Sequence, residues 1–226
     1  MKKIKFYSFL TFVIFITGMF SMSCGEKKTD ITQKNDNVNQ KQMTNTTNTT
    51  QKVDTTQPST ENESDTVIME TSMGNMTIEL YSKDAPLHVA NFKKLVREGF
   101  YDGLLFHRVI PGFMIQGGDP NTKSGDRSTF GQGGPGYTIP AEIKLKHEMG
   151  SLAAARLGDA ANPQRESSGS QFYIVIGNAS HLDRQYTVYG KVIKGIEIAH
   201  KIENVKRDAM DDPIDKVVIT KVSFAR

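Results

Sequence analysis

The sequence predicts a mainly β domain, a barrel or sandwich of eight short strands with two helices, over residues 65–226 of a 226-residue chain. Three observations predict it. Apolar runs dominate this segment, several alternating apolar with polar at the two-residue period of a strand. Only two stretches carry the three- and four-residue spacing of a helix. From Glu26 to Ser64 the composition offers almost nothing to bury, so a core has to be built downstream of it.

The strands in order are TVIMET (66–71), MTIELY (76–81), LFHRVI (105–110), FMIQGG (113–118), SLAAAR (151–156), QFYIVIG (171–177), TVYGKV (187–192) and DKVVITKVSF (215–224). Eight short strands suit a barrel or a sandwich. Ser72, Met73 and Gly74 between the first two read as a tight hairpin turn. In KDAPLHVANFKKLVREGFY, Asp84 can cap the orphan amides and Pro86 is tolerated in the first turn. Val89, Phe92 and Val96 then mark one face until Gly99 stops the helix. The second helix is GIEIAHKIENV, with Ile198, Ile202 and Val205 in one stripe and Ala199 beside it. Two helices are enough to plug the two ends of a closed eight-stranded sheet.

The N-terminal part is organised differently. Lys2, Lys3 and Lys5 precede a largely apolar run from Phe6 to Phe20, followed by small residues ahead of Cys24, which is a secretory signal layout over residues 1–23. The run falls short of the roughly 20 residues of a bilayer span. SMSC followed by Gly25 resembles the cleavage site of bacterial lipoproteins, in which the cysteine is acylated; Ser21 departs from the leucine usual there. Cys24 is the only cysteine, so no intrachain disulfide is possible. From there to Ser64 the chain is rich in Asn, Thr and Gln, a tether (24–64) whose typical span is roughly 5.5 Å × √40, about 35 Å. The expected location is therefore outside the cytoplasm, lipid-anchored to a bacterial cell membrane on its periplasmic or outer surface.

Composition excludes several functions. Acidic and basic side chains nearly balance in 65–226, and the basic pI of 8.8 comes mostly from the N-terminal segments, so nucleic acid is not an expected partner. GQGGPG (131–136) satisfies a dinucleotide-binding pattern but precedes YTIPAE rather than opening a helix, and reads as a surface loop. His88, His107, His147, His181 and His200 have no paired ligand spacing, so no metal and no cofactor is expected. GSQF (169–172) lacks the G-x-S-x-G of a nucleophile elbow.

That leaves FHRVIPGFMIQGGD (106–119), which holds an arginine, a glutamine, two bulky apolar residues and no nucleophile. Such a set suits a reaction that breaks no covalent bond. Rotation about an X-Pro amide is one: its barrier of about 20 kcal/mol comes from resonance between the nitrogen lone pair and the carbonyl. A donor to the prolyl nitrogen localises that lone pair, most strongly in the twisted transition state.

FHRVIPGFMIQGGD, with GSQFYI and the downstream LD, YG and KV elements, closely resembles the cyclophilin family of peptidyl-prolyl cis-trans isomerases, over essentially all of 65–226. The resemblance implies a closed eight-stranded antiparallel barrel with two capping helices. It assigns catalysis to Arg108 and Gln116, and the walls of a proline pocket to Phe113, Met114 and Leu182. Gln171 joins Gln116 in anchoring the substrate backbone, and Ala155 lies beside the peptide groove. Tyr173, His181 and Tyr186 complete the binding set but depart from the family, which often has phenylalanine, tryptophan and histidine there; Arg156 stands where many members have asparagine. The Tyr173 hydroxyl has to find a partner or water. His181 places a small titratable ring where a large indole is usual, so weak binding of cyclosporin, the cyclic peptide the resemblance suggests as a pocket ligand, is expected. LGDAANPQRES (157–167) is longer than in compact members. The expected partners are proline-containing polypeptides and a membrane, through lipid on Cys24, and the expected state is a monomer. The alternative is a non-catalytic proline-peptide binding or chaperone module on the same barrel.

Overall fold

The computed structural model describes residues Ser64–Arg226; the signal segment, Cys24 and the tether through Glu63 lie outside the described residues. All eight expected strands form. They are β1 (Thr66–Thr71), β2 (Gly74–Leu80), β3 (Arg108–Ile110), β4 (Met114–Gly117), β6 (Ser151–Ala154), β8 (Phe172–Val175), β9 (Val188–Lys194) and β10 (Ile219–Phe224), paired antiparallel in the order β10-β1-β2-β9-β6-β8-β4-β3. The sequence pattern misses a second, two-stranded sheet of β5 (Thr138–Ile139) and β7 (Ser167–Ser168), too short to show a period.

The sheet is a curled half-barrel, open rather than closed, which corrects the expected closed barrel. Its edge strands are β10 and β3, and β3 has only three residues. Upstream of it, Gly99 and Gly103 adopt positive φ in successive turns, so the chain enters as irregular backbone. The seam carries one isolated bridge, Leu105–Val218, flanked by bonds from the Phe106 N–H to the Val217 carbonyl (2.9 Å) and from the Ile219 N–H to the Leu104 carbonyl (2.7 Å). A ladder needs extended residues on both sides, and LFHRVI supplies them only from Arg108 onward.

The two helices, α1 (Pro86–Arg97) and α2 (Ile196–Glu203), pack on the concave side. Helix α1 buries Val89, Phe92, Leu95 and Val96, and the Phe92 ring lies 4.9 Å from Tyr101 and 6.3 Å from Phe172, centroid to centroid. Its N-terminus departs from the expected cap: Ala85 takes that position and Asp84 makes no capping bond. The orphan amides of Leu87 and His88 are bonded instead by the two oxygens of Glu142 (3.1 Å each), more than fifty residues along the chain. Helix α2 buries Ile198, Ala199 and Ile202, while Val205 packs on the core from beyond its end. In the first hairpin only Ser72 and Met73 intervene, because Gly74 already pairs with Thr71.

Candidate active site

Antiparallel register sets the site. Arg108 on β3 faces Gln116 on β4, Gln116 faces Tyr173 on β8, and Tyr173 faces Ala153 on β6, so these four side chains form one row across the convex face. The next row is Ile110, Met114 and Val175. The alternate residues Val109, Ile115, Ile174 and Leu152 point the other way and are wholly buried in the main core. On the convex face a second apolar cluster gathers Met114, Tyr173 and Val175 with Phe113, Ala155, Leu182 and Tyr186.

Phe113 and Met114 are sequence neighbours, and strict alternation would part them. The turn resolves this. Ile110 pairs with Met114, so Pro111, Gly112 and Phe113 lie outside the ladder. Pro111 pre-sets its φ, Gly112 takes φ +69°, and the Phe113 N–H closes the turn on the Ile110 carbonyl at 3.1 Å, the pattern of a type II turn. Freed from the pleat, Phe113 joins Met114 in the same cluster. The turn also lies against the β8 exit: a Cβ on Gly177 would come within 1.8 Å of the Gly112 carbonyl oxygen, so only glycine fits.

The two glutamines orient each other. Gln171 Nε2 donates to the carbonyls of Gly131 (3.0 Å) and Gly133 (2.7 Å), which identifies its other end as oxygen; that oxygen accepts from Gln116 Nε2 at 3.0 Å. Buried Gln171 therefore stands behind Gln116 and fixes its amide, while holding the start of the GQGGPG loop. Arg108 is exposed, and among the described residues no carboxylate pairs with it. Behind it His107 is buried, and burial pushes its pKa below the ordinary value.

The Tyr173 hydroxyl has a partner that the sequence did not announce. It lies 2.8 Å from His147 Nε2, and His147 Nδ1 lies 3.0 Å from Asp183 Oδ1. Burial lowers the His147 pKa against the pull of Asp183, so the ring is neutral, Nδ1–H donates to Asp183, and Tyr173 donates to Nε2. Bonds from the His147 backbone N–H and ring hold the Asp183 carboxyl below its ordinary range, and burial raises the Tyr173 phenol far above its own. An isolated histidine in a polar loop carries no spacing signal, so no pattern in the chain could have found this relay.

The segment 180–186 packs against the same cluster through Leu182 and Tyr186. A short 3-10 turn, Ser180–Leu182, brings Leu182 to the cluster and sets the His181 ring 5.1 Å from Phe113. Arg156 does not reach into the groove as a free group: its side chain is 3% exposed, its Nε donates to the Gln185 carbonyl (2.9 Å), and its guanidinium stacks 4.4 Å from the Tyr186 ring centroid. Asp159 ties Arg156 (2.6 Å) to Arg165 (2.9 Å), whose Nη1 donates to the Arg184 carbonyl. The long 157–167 segment is thereby stapled to the wall that carries Leu182 and Tyr186.

All ten expected site residues thus converge on one face. The arrangement is an apolar cluster beside a row that carries an exposed guanidinium and an oriented amide. An open, curled antiparallel sheet with such a face and two helices behind it is the cyclophilin architecture. The chain matches, over residues 66–224, the family described as cyclophilin type peptidyl-prolyl cis-trans isomerase/CLD, and it belongs to that family. It is 48% identical over 129 residues to peptidyl-prolyl cis-trans isomerase B of Bacillus subtilis, covering 56% of this chain and 81% of that one. It is 40% identical over 156 residues to peptidyl-prolyl cis-trans isomerase-like 2 of Gibberella zeae, covering 68% of this chain but only 25% of that longer protein. Among solved structures, a cyclophilin type peptidyl-prolyl cis-trans isomerase of Cryptosporidium parvum superposes with a TM-score of 0.64 at 32% identity, over 72% of this chain and 98% of that one. The same protein in the presence of the dipeptide Ala-Pro gives 0.63 at 31%, over 71% and 99%. The activity that the fold and the relatives support is peptidyl-prolyl cis-trans isomerisation.

Proposed function

We propose that this isomerase acts on proline-containing segments of exported polypeptides while tethered to a membrane through lipid on Cys24, and that Arg108 is its principal catalytic group. The observation that carries the site assignment is the row in which exposed Arg108 lies beside oriented Gln116, next to the apolar cluster of Phe113, Met114 and Leu182. The Cryptosporidium parvum structure obtained with Ala-Pro supports a proline peptide as the occupant.

In this reading the apolar walls hold the pyrrolidine ring, Gln116 holds the backbone, and the residues preceding proline rotate. As the amide twists, its nitrogen becomes pyramidal and basic, and the Arg108 guanidinium donates to it. In the planar ground state that lone pair is delocalised into the carbonyl, so the bond strengthens along the reaction and acts on kcat rather than on binding alone. Reducing a step of tens of seconds to milliseconds takes about 10⁴-fold, roughly 5.5 kcal/mol. A charge-assisted hydrogen bond from Arg108, covered by the bound peptide, supplies part of that.

A protease-coupled assay with a proline peptide tests the activity on the full chain: catalysed isomerisation is expected, and a rate equal to the buffer control overturns the enzyme reading. Fractionation of Cys24→Ser in a bacterial host tests the tether. The variant is expected to leave the membrane fraction; unchanged partition overturns lipid attachment at Cys24.

A further inference from the structure

We propose that Glu203, on the second helix and outside every residue set assigned to the pocket so far, is a positioning residue that holds the proline-pocket turn in place. The turn 110–113 uses its own Phe113 N–H internally, and the Phe113 carbonyl accepts from the Ile176 N–H at 2.9 Å. In a turn of this type the N–H of the third residue, here Gly112, has no backbone acceptor. Glu203 reaches across from α2 and supplies one: its Oε2 accepts the Gly112 N–H at 2.7 Å.

Three features make this more than a surface contact. Glu203 is 8% exposed although its side chain is polar, so its position is set by packing of α2 on the hairpin. Its second oxygen is engaged by His200 Nδ1, one helical turn away, which fixes the carboxylate plane and leaves Oε2 aimed at Gly112. The opposite side of Gly112 is blocked by Gly177, so the turn is gripped between α2 and the exit of β8. Phe113 is the next residue. Loosening Gly112 moves the pocket wall without touching Arg108 or Gln116, whose positions are set by the ladder and by Gln171.

A wall that contacts the proline ring in planar and twisted amides alike contributes uniform binding, so its displacement raises KM and leaves kcat nearly unchanged. This rests on the assignment of Phe113 to the proline pocket, so Phe113→Ala is measured in the same series. For Glu203→Ala we expect KM for a proline peptide to rise about five- to tenfold with kcat within about twofold, at a temperature well below the melting of every variant. Glu203→Gln, whose amide oxygen still accepts from Gly112, is expected to restore KM to within about twofold. KM unchanged in Glu203→Ala while Phe113→Ala is crippled overturns the role of Glu203 alone. Unchanged KM in Phe113→Ala overturns the pocket assignment beneath it. Equal losses in the Ala and Gln variants of Glu203 also overturn the proposal, because they tie the effect to helix charge rather than to the Gly112 bond.

Discussion

The two faces of strands β3, β4, β8 and β6 carry adjacent rows of the same ladder and hold their side chains by different means. On the concave face Val109, Ile115, Ile174 and Leu152 are sealed in the core, each held by contact with many neighbours and needing no particular partner. On the convex face Arg108, Gln116 and Tyr173 occupy the neighbouring row, and the last two are held by single bonds to groups from distant loops. Packing is redundant and nondirectional, so it tolerates no void but asks for no exact atom. The site is directional, so each of its members depends on one or two named partners. Stability should therefore be concentrated on one face and turnover on the other.

The sharpest way to break that division is a truncation inside the core. Ile174→Ala is expected to cost about 2 to 5 kcal/mol of unfolding free energy, through lost burial and the cavity left behind. Chemical denaturation measures it, and a loss below about 1 kcal/mol would mean that the concave row is not the stabilising one. The reciprocal variant is Arg108→Ala. It is expected to lower kcat/KM at least 10²-fold, about 2.7 kcal/mol of transition-state stabilisation, while the protein still melts cooperatively near the parent temperature. Near-parental turnover in the peptide assay would remove Arg108 from the mechanism.

At the rim the expected effects are smaller. His181 lies against Phe113 as an exposed ring, and an indole there would add apolar area next to the pocket. His181→Trp should tighten cyclosporin inhibition by about 1 to 3 kcal/mol, the scale of one large aromatic anchor, with far less change in turnover of small peptides. Tight inhibition of the parent protein, or no gain in the variant, would show that the rim does not control this ligand.

The gentlest probe is pH. Burial lowers the pKa of His88, His107 and His147 from the ordinary 6.5, so the fold prefers all three rings neutral. The unfolded chain then binds protons first, and the associated stability is full above about pH 6.5 and is lost as pH falls through the lowered folded values. Glu142 adds a second, more acid phase. Burial opposes its charge, but bonds from the His88 ring and from the amides of His88 and Leu87 outweigh it and hold the carboxyl below its ordinary value. Melting temperature should be flat above neutrality, decline below about pH 6.5 and decline again below about pH 4.5. His147→Gln should flatten part of the first decline, and an unchanged profile would show that the relay beneath Tyr173 does not titrate with the fold.

The chain encodes locally whatever a few adjacent residues can specify. Eight apolar runs became eight strands, Gly99 ended the first helix, and FHRVIPGFMIQGGD supplied Arg108, Gln116, Phe113 and Met114 to one face. Period and turn chemistry act within one element, so they are legible before any pairing is known. Tertiary packing settled everything that depends on which elements meet. It left the sheet open at Leu105–Val218 and capped the first helix with Glu142 from 54 and 55 residues away. It gave the Tyr173 hydroxyl to His147 across 26 residues and the Gly112 N–H to Glu203 across 91. A buried donor must find an acceptor, which the chain dictates locally, but several acidic and histidine side chains could answer, and only the path of the folded backbone brings one of them within hydrogen-bond reach.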